Sequence, residues 1–313
     1  MRKVYSILML IILGSGTTAW AQQDPQFSQN MFTKLAINPG FAGANGAYCG
    51  TLLYRNQWTG FGGEPKTFLF SGDAYLESIS SGVGLTVISD QLGFDKNLGV
   101  RAAFAYRGLM DGKLGIGADF GLMQKSIKGL FVYNDPDDPS IPGDPNTGAV
   151  NVSGSTFDLG FGLYYDSGKL FVGASASHLT AGDIKYGNIK TKLARHYYLQ
   201  AGYNLDLTTS LVLKPSVLVK TDAASTQVDV NANLMIDNRY WAGVSYRLQD
   251  AFVIMIGIQD IPGVPGLKVG YSYDLTTSDI KTYSSGTHEI MVGYCFKPVK
   301  VIHRQFHRNV RFL

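Results

Sequence analysis

The chain has 313 residues, of which only 16% are charged, and it is rich in Gly (37), Tyr (18) and Phe (17). A soluble protein carries about 25% charged residues. The formal net charge is +3, with a basic cluster confined to the last residues, which excludes the patterned basic face of a nucleic-acid-binding protein.

Taken from the N-terminus, Arg2 and Lys3 precede an apolar run, Val4 to Leu13, and small residues follow up to Ala19-Trp20-Ala21. This pattern predicts a cleaved signal peptide over residues 1–21, with a retained anchor helix as the alternative. The run is too short to span a bilayer as a helix, which takes about 20 residues. No cysteine follows it, so lipoprotein processing is not expected. No later segment is long and apolar enough for a helical span, which excludes a helical membrane protein. Without the leader and the basic tail, residues 22–296 sum to −4.

Residues 22–47 contain Pro, Gly and Asn but no sustained alternation. They are expected either to plug a lumen or to hang in the periplasm. From residue 48 onward the dominant signal is period two. Leu98, Val100, Ala102, Phe104 and Tyr106 alternate with small or charged residues. The same holds for Leu114–Leu122, Phe157–Tyr165, Val228–Ile236 and Leu267–Leu275. Successive strand side chains point to opposite faces, so each segment has one apolar and one polar face.

The charges sharpen this pattern. Arg101, Arg107, Asp119, Asp158, Asp229, Arg247, Lys268 and Asp274 all fall in the non-apolar phase. Arg or Lys facing lipid at mid-bilayer costs about 2–4 kcal/mol, which explains why the apolar phase is clear of them. A soluble barrel with its apolar phase inward would show the same phase, so phase alone leaves both open. Strand number, strand length, low charge and the leader point to the membrane.

The fold class expected is therefore all-β: a transmembrane antiparallel β-barrel of about 14 strands. The expected strands are 48–58, 67–77, 81–90, 97–108, 112–124, 155–166, 169–178, 195–206, 210–221, 225–237, 239–249, 250–259, 266–275 and 286–296. Connections at Ser78–Ser80, Leu109–Gly112, Ser167-Gly168, Leu207–Thr209 and Asp237-Asn238 are short. Those at Thr59–Lys66, Gln91–Lys96, Lys125–Gly154, Leu179–Ala194 and Thr276–Ser285 are longer. Short and long alternate as outer-membrane topology requires, which puts both termini in the periplasm. The exceptions are the joints near Gln249-Asp250 and Asp260–Pro265. Tyr54, Trp58, Tyr75, Tyr106, Tyr165, Tyr203, Tyr246 and Tyr294 lie toward strand ends in the apolar phase, as interfacial girdles would. The β-propensity of aromatics would also enrich them.

No H-E-x-x-H, G-x-S-x-G or P-loop motif occurs, so no enzyme activity, cofactor or metal site is expected. His288-Glu289 reads as a lumen-edge pair on the last strand. Asp135, Asp137, Asp138 and Asp144 share a loop with four prolines. Their spacing matches no EF-hand, so a solvated loop is a better reading than a calcium site. Cys49 opens the first strand and Cys295 closes the last, both in the lumen phase. In a closed barrel these strands are neighbours, and the periplasm is oxidising. A seam disulfide is the expectation, and two buried free thiols are the alternative.

Several blocks in order then resemble a known family. Gln23-Asp24-Pro25-Gln26-Phe27-Ser28-Gln29 and Asn38-Pro39-Gly40-Phe41-Ala42-Gly43 look like its opening. Tyr54-Arg55-Asn56-Gln57-Trp58-Thr59-Gly60-Phe61 with Pro65-Lys66-Thr67, Arg195-His196-Tyr197, Pro215-Ser216 and Ser245-Tyr246-Arg247 follow in order. Gly270-Tyr271-Ser272-Tyr273-Asp274-Leu275 and His288-Glu289-Ile290 complete the series. The chain resembles the PorP/SprF-type outer-membrane proteins of the Bacteroidetes type IX secretion and gliding motility system. The resemblance implies a fatty-acid-transporter-like barrel whose N-terminal segment can enter the lumen.

It also implies a role without a reaction: anchoring or assisting surface display of a large secreted adhesin. Implied partners are the C-terminal domain of that adhesin at the extracellular face, and periplasmic type IX machinery or a peptidoglycan-binding lipoprotein. The lipid bilayer is the third partner. Candidate contacts are Asp135, Asp137, Asp138, Asp144, Lys185, Tyr186 and Lys190 in the two longest loops. Lys300, Arg304, Arg308 and Arg311 in the tail, residues 297–313, are candidates for the periplasmic side. A passive diffusion channel for small or hydrophobic solutes is the alternative, and it requires an open lumen.

Overall fold

The computed structural model describes residues 24–60, 62–131, 148–186 and 189–297. Seventeen strands are seen among them. They are β1 (Tyr48–Asn56), β2 (Lys66–Leu76), β3 (Ser81–Leu92), β4 (Asp95–Leu109), β5 (Leu114–Phe131) and β6 (Gly148–Asp166). Then come β7 (Leu170–Ser177), β8 (Asp183–Tyr186), β9 (Ile189–Lys192), β10 (His196–Tyr203), β11 (Leu205–Asp206) and β12 (Leu211–Thr221). The last are β13 (Thr226–Ile236), β14 (Tyr240–Arg247), β15 (Ala251–Ile261), β16 (Val264–Thr276) and β17 (Thr287–Phe296).

Every ladder is antiparallel and joins sequence neighbours, except that β7 pairs β10 across the β8–β9 hairpin and that two further contacts close the sheet. β1 pairs β17 from Tyr48↔Phe296 to Asn56↔His288, and β10 pairs β12 past the two-residue β11. The result is a closed barrel of 14 strands. Closure leaves no sheet edge, which a bilayer would not tolerate. The β8–β9 hairpin stands apart as its own sheet. No described helix is long and apolar enough to cross a membrane.

The apolar phase faces outward. Leu52, Phe104, Phe120, Phe157, Leu199 and Ile254 are exposed, Phe157 by 62%. The charged phase faces inward: Arg101, Arg107, Asp119, Asp158, Asp229, Arg247 and Asp274 are buried. A soluble barrel would have the reverse arrangement, so this phase is what makes the barrel a membrane one. Among the expected girdle residues, Tyr54, Tyr106, Tyr203, Tyr246 and Tyr294 are exposed. Tyr75 is not in the outward phase. Thr67, Leu69 and Ser71 on β2 are buried, and Tyr75 shares their parity and lies against Gly43. Trp58 falls beyond the end of β1 at Asn56.

Two connections differ from expectation. β3 and β4 pair out to Leu92↔Asp95, so the expected Gln91–Lys96 loop is a tight turn. β5 and β6 pair for 18 residues, out to Phe131↔Gly148, so the flanks of the expected Lys125–Gly154 loop are a ribbon. Hydrophobic alternation fades where strands leave the bilayer, although the ladder continues. Long connections still gather at one end, at 57–65, 178–195 and 277–286.

The segment before β1 fills the lumen. It forms a 3-10 turn (Asn30–Phe32), one turn of α-helix (Lys34–Ile37) and a second 3-10 turn (Pro39–Phe41). Asn38 caps the last of these, its side chain accepting from the Gly40 amide at 2.9 Å. Proline at the first position suits that start. The barrel strands begin and end together at the short-turn end. The segment itself runs back up the lumen, so Asp24 lies beside His178 and His196 at the long-loop end. Of the two expectations for this segment, plugging the lumen and hanging in the periplasm, residues from Asp24 onward follow the first. The cause is the set of inward polar groups that hold it.

Candidate functional site: the plugged lumen and its long-loop mouth

Three levels of contact hold the plug. At the first, Arg55 and Arg247 meet Asp229, Asp274 and Glu289. Arg55 Nη2 lies 2.8 Å from Asp274, and Arg55 Nη1 lies 3.1 Å from Glu289. Arg247 approaches Asp274 at 3.1 Å and Asp229 at 3.3 Å. The plug completes this set. The Ser28 and Gln29 amides donate to the two Glu289 oxygens at 2.9 and 2.7 Å, and the Ser28 hydroxyl bonds the Asp274 carboxylate at 2.7 Å. Buried charges persist only when paired and hydrogen-bonded, and here the plug backbone supplies the missing donors.

At the second level the contact is apolar. Phe27, Phe32 and Ala36 pack against Leu53, Leu69, Trp241, Val253, Met255 and Met291. These barrel residues are in the lumen phase, so the inner wall is apolar where this part of the plug covers it. Lys34 spans the lumen to donate to the Tyr164 hydroxyl at 2.8 Å, its ammonium 3.4 Å from the Phe171 ring centre. Burial lowers its pKa to about 8.

At the third level the plug backbone presses on glycines. A Cβ at Gly82 would collide with the Ala42 carbonyl, and one at Gly115 with the Gly40 carbonyl. At Gly117 it would lie 2.5 Å from the Gly40 nitrogen, and at Gly162 it would meet the Asn38 side chain. Arg107 donates to the Gly40 carbonyl at 2.9 Å, and Arg101 to the Ala36 carbonyl at 2.6 Å. These contacts explain why glycine and arginine share the inward phase.

At the long-loop mouth the 178–195 connection folds inward. Ile184 and Leu193 are buried against Met123, Ile127 and Val152. Asp24 is gripped there by His178 at 2.8 Å, Tyr198 at 2.5 Å and, through its carbonyl, Lys220 at 2.8 Å. Burial disfavours a charged His178, but the facing Asp24 and Asp158 carboxylates outweigh it and push its pKa up to about 10.

Cys49 and Cys295 sit opposite each other in the seam, joined as a disulfide with Cα atoms 4.1 Å apart. Glu289 is a lumen residue, but His288 is on the opposite face and bonds the Tyr271 hydroxyl at 2.7 Å. The expected lumen-edge pair is thus split by strand alternation. Lys185 and Lys190 are exposed on the β8–β9 hairpin, and Lys190 pairs with Asp183 at 3.0 Å. Tyr186 pairs with Ile189 in that ladder. Asp135, Asp137, Asp138 and Asp144 lie outside the described residues, as do Lys300, Arg304, Arg308 and Arg311. Sequence reasoning did not single out Arg55, Glu289, Gly115 or Gly162 as plug contacts. The available signal was glycine recurring in the inward phase.

Fold and lumen together define a plugged 14-strand outer-membrane β-barrel. The chain belongs to the family described as type IX secretion system membrane protein PorP/SprF, which it matches over residues 19–294. Among solved structures it is similar to the CymD monoaromatic hydrocarbon channel, with 14% identity and a TM-score of 0.54 over 88% of this chain and 94% of that one. A Pseudomonas aeruginosa FadL homologue aligns over 79% of this chain and 88% of its own, with 10% identity and a TM-score of 0.46. At such identities the likeness concerns the fold alone. No curated protein matches the chain.

Proposed function

We propose that this protein is an outer-membrane fixture of the type IX system, one that anchors or assists surface display of a large secreted adhesin and performs no reaction itself. The filled lumen carries the reading. Plug residues Phe27 to Asn38 are packed or hydrogen-bonded to the inner wall along its length. A barrel closed in this way offers partners its two mouths. The long-loop mouth carries the β5–β6 ribbon and the β8–β9 hairpin, where an adhesin C-terminal domain would be held. The opposite mouth and the basic tail would meet periplasmic machinery or a peptidoglycan-binding lipoprotein.

The test removes residues 132–147 and replaces Lys185–Lys190 by a two-residue turn in the native host. Release of the adhesin into the medium, with the barrel still resistant to unfolding by unheated detergent, is the expected result. Continued attachment of the adhesin in the double variant would refute the placement. The diffusion-channel alternative needs the plug to leave, and conductance measurements on the intact barrel separate the two readings.

A further inference from the structure

His178 has each ring nitrogen facing a carboxylate at 2.8 Å: Nδ1 faces Asp158 and Nε2 faces Asp24. A neutral imidazole carries one N–H, so it satisfies one of these oxygens and points a lone pair at the other. With the N–H on Nδ1 toward Asp158, the lone pair of Nε2 faces Asp24, and either a second ring proton or a metal ion removes that repulsion.

The surroundings suit a metal. His196 brings its Nε2 to the Asp24 amide at 3.2 Å, while its Nδ1 is engaged by the Ala194 carbonyl at 3.1 Å. Asp24, His178 and His196 each offer a ligand atom, all within 4.8 Å of one another. Each would-be ligand also has an outer partner: Asp158 for His178, the Ala194 carbonyl for His196 and the Tyr198 hydroxyl for Asp24. Metal-binding histidines characteristically donate their other N–H to a carboxylate or carbonyl, which fixes the tautomer and aims the free nitrogen. Both histidines are almost fully buried, at 3% and 4% side-chain exposure. Beside them a cavity lined by Arg101, Met123, Lys125 and Leu193 leaves room for a water as fourth ligand. Lys220 holds the Asp24 carbonyl and not its carboxylate.

We propose that Asp24, His178 and His196 form a binding site for a divalent transition metal of the zinc class. Two imidazoles and one carboxylate with an open position suit zinc, at ligand distances of about 2.0–2.2 Å. His196 releases the Asp24 amide to water when it ligates. The three ligands come from the plug, the start of the 178–195 connection and the first residue of β10. One ion therefore ties the tip of the plug to both ends of the loop that folds over the mouth.

The test uses the intact barrel carrying His303→Ala and His307→Ala, which removes the tail histidines as competing ligands. After dialysis against zinc and removal of free metal, elemental analysis is expected to find one zinc per chain. Asp24→Asn and His196→Ala should each weaken binding at least tenfold, whereas His288→Ala should leave it unchanged. Cobalt in place of zinc should give the visible absorption of a four-coordinate nitrogen–oxygen site, lost in the same two variants. Resistance to unfolding in unheated detergent confirms that the variants retain the barrel. Zinc below one-tenth equivalent in the intact protein, or equal binding in all variants, overturns the proposal and leaves a protonated His178–Asp24 clasp.

Discussion

The amide of Ser28 donates to the carboxylate of Glu289 at 2.9 Å, across 261 residues of sequence and in full burial. Glu289 also accepts from Gln29 and faces Arg55, so one carboxylate binds plug and wall together. Truncating it leaves two plug amides and one guanidinium short of partners. Removing one member of a buried pair costs about 3–5 kcal/mol. Glu289→Ala should therefore loosen the plug and produce conductance steps in planar bilayers that the unaltered protein lacks. Glu289→Gln, which keeps an acceptor oxygen, should show fewer. Silent traces from Glu289→Ala would mean that the charge network does not hold the plug.

The glycine contacts test the same closure by steric means. Gly162→Val and Gly115→Leu place bulk where Asn38 and Gly40 sit, while improving the β-propensity of β5 and β6. Both variants should keep the folded barrel and expel the plug, seen as protease cleavage between residues 24 and 47 in detergent-solubilised protein. Gly50→Ala is the control, because an added Cβ there meets nothing within 4 Å. Equal protection of all three would show that the plug accommodates the bulk.

The barrel was legible because lipid enforces a strict phase: a misplaced charge is costly, so Arg101, Asp119, Asp158 and Asp274 mark one polar face, which strand number, low charge and the leader assign to the lumen. The plug was not legible in detail. Residues 24–47 have no period, since their conformation is set by what the wall offers: an acceptor at Glu289, donors at Arg101 and Arg107, and space at Gly82, Gly115 and Gly162. Tyr75 was misplaced because an aromatic near a strand end reads the same whether it faces lipid or packs on Gly43. The long-loop mouth was missed because His178 and His196 are 18 positions apart and meet only through the fold.

Lys34 makes closure depend on pH. Its ammonium is buried against Phe171, which lowers its pKa from 10.5 to about 8, with Asp166 opposing the shift and Lys214 and Lys268 adding to it. At Lys34 the docked plug therefore holds fewer protons than the undocked one between these two values. The Lys34 contribution to docking grows as pH rises from about 8 to 10.5, by at most about 3 kcal/mol at 1.36 kcal/mol per pKa unit. His178, raised to about 10 by the Asp24 and Asp158 carboxylates, acts in the opposite sense as pH rises to that value. The Lys34 share is isolated by measuring opening frequency in Glu289→Ala with and without Lys34→Met: between pH 8 and 10.5 the openings should decline more steeply with pH when Lys34 is present. Equal pH dependence in the two would contradict the assignment.

The seam disulfide acts on a different equilibrium. β1 and β17 are already paired over nine residues, so the covalent link is not needed to close the folded barrel. Its effect falls on the unfolded chain, where it closes a loop between positions 246 apart. The chain-entropy model assigns a loop of that size about 5 kcal/mol, an upper figure when the denatured chain retains structure. Cys49→Ser should leave the folded barrel's electrophoretic mobility and plug protection unchanged, while lowering the midpoint of urea unfolding. In the unaltered protein purified from outer membranes, where the seam faced an oxidising compartment as it formed, denatured thiols should react with maleimide only after reduction. Full labelling of both cysteines without reductant would show that the seam is held by hydrogen bonds alone.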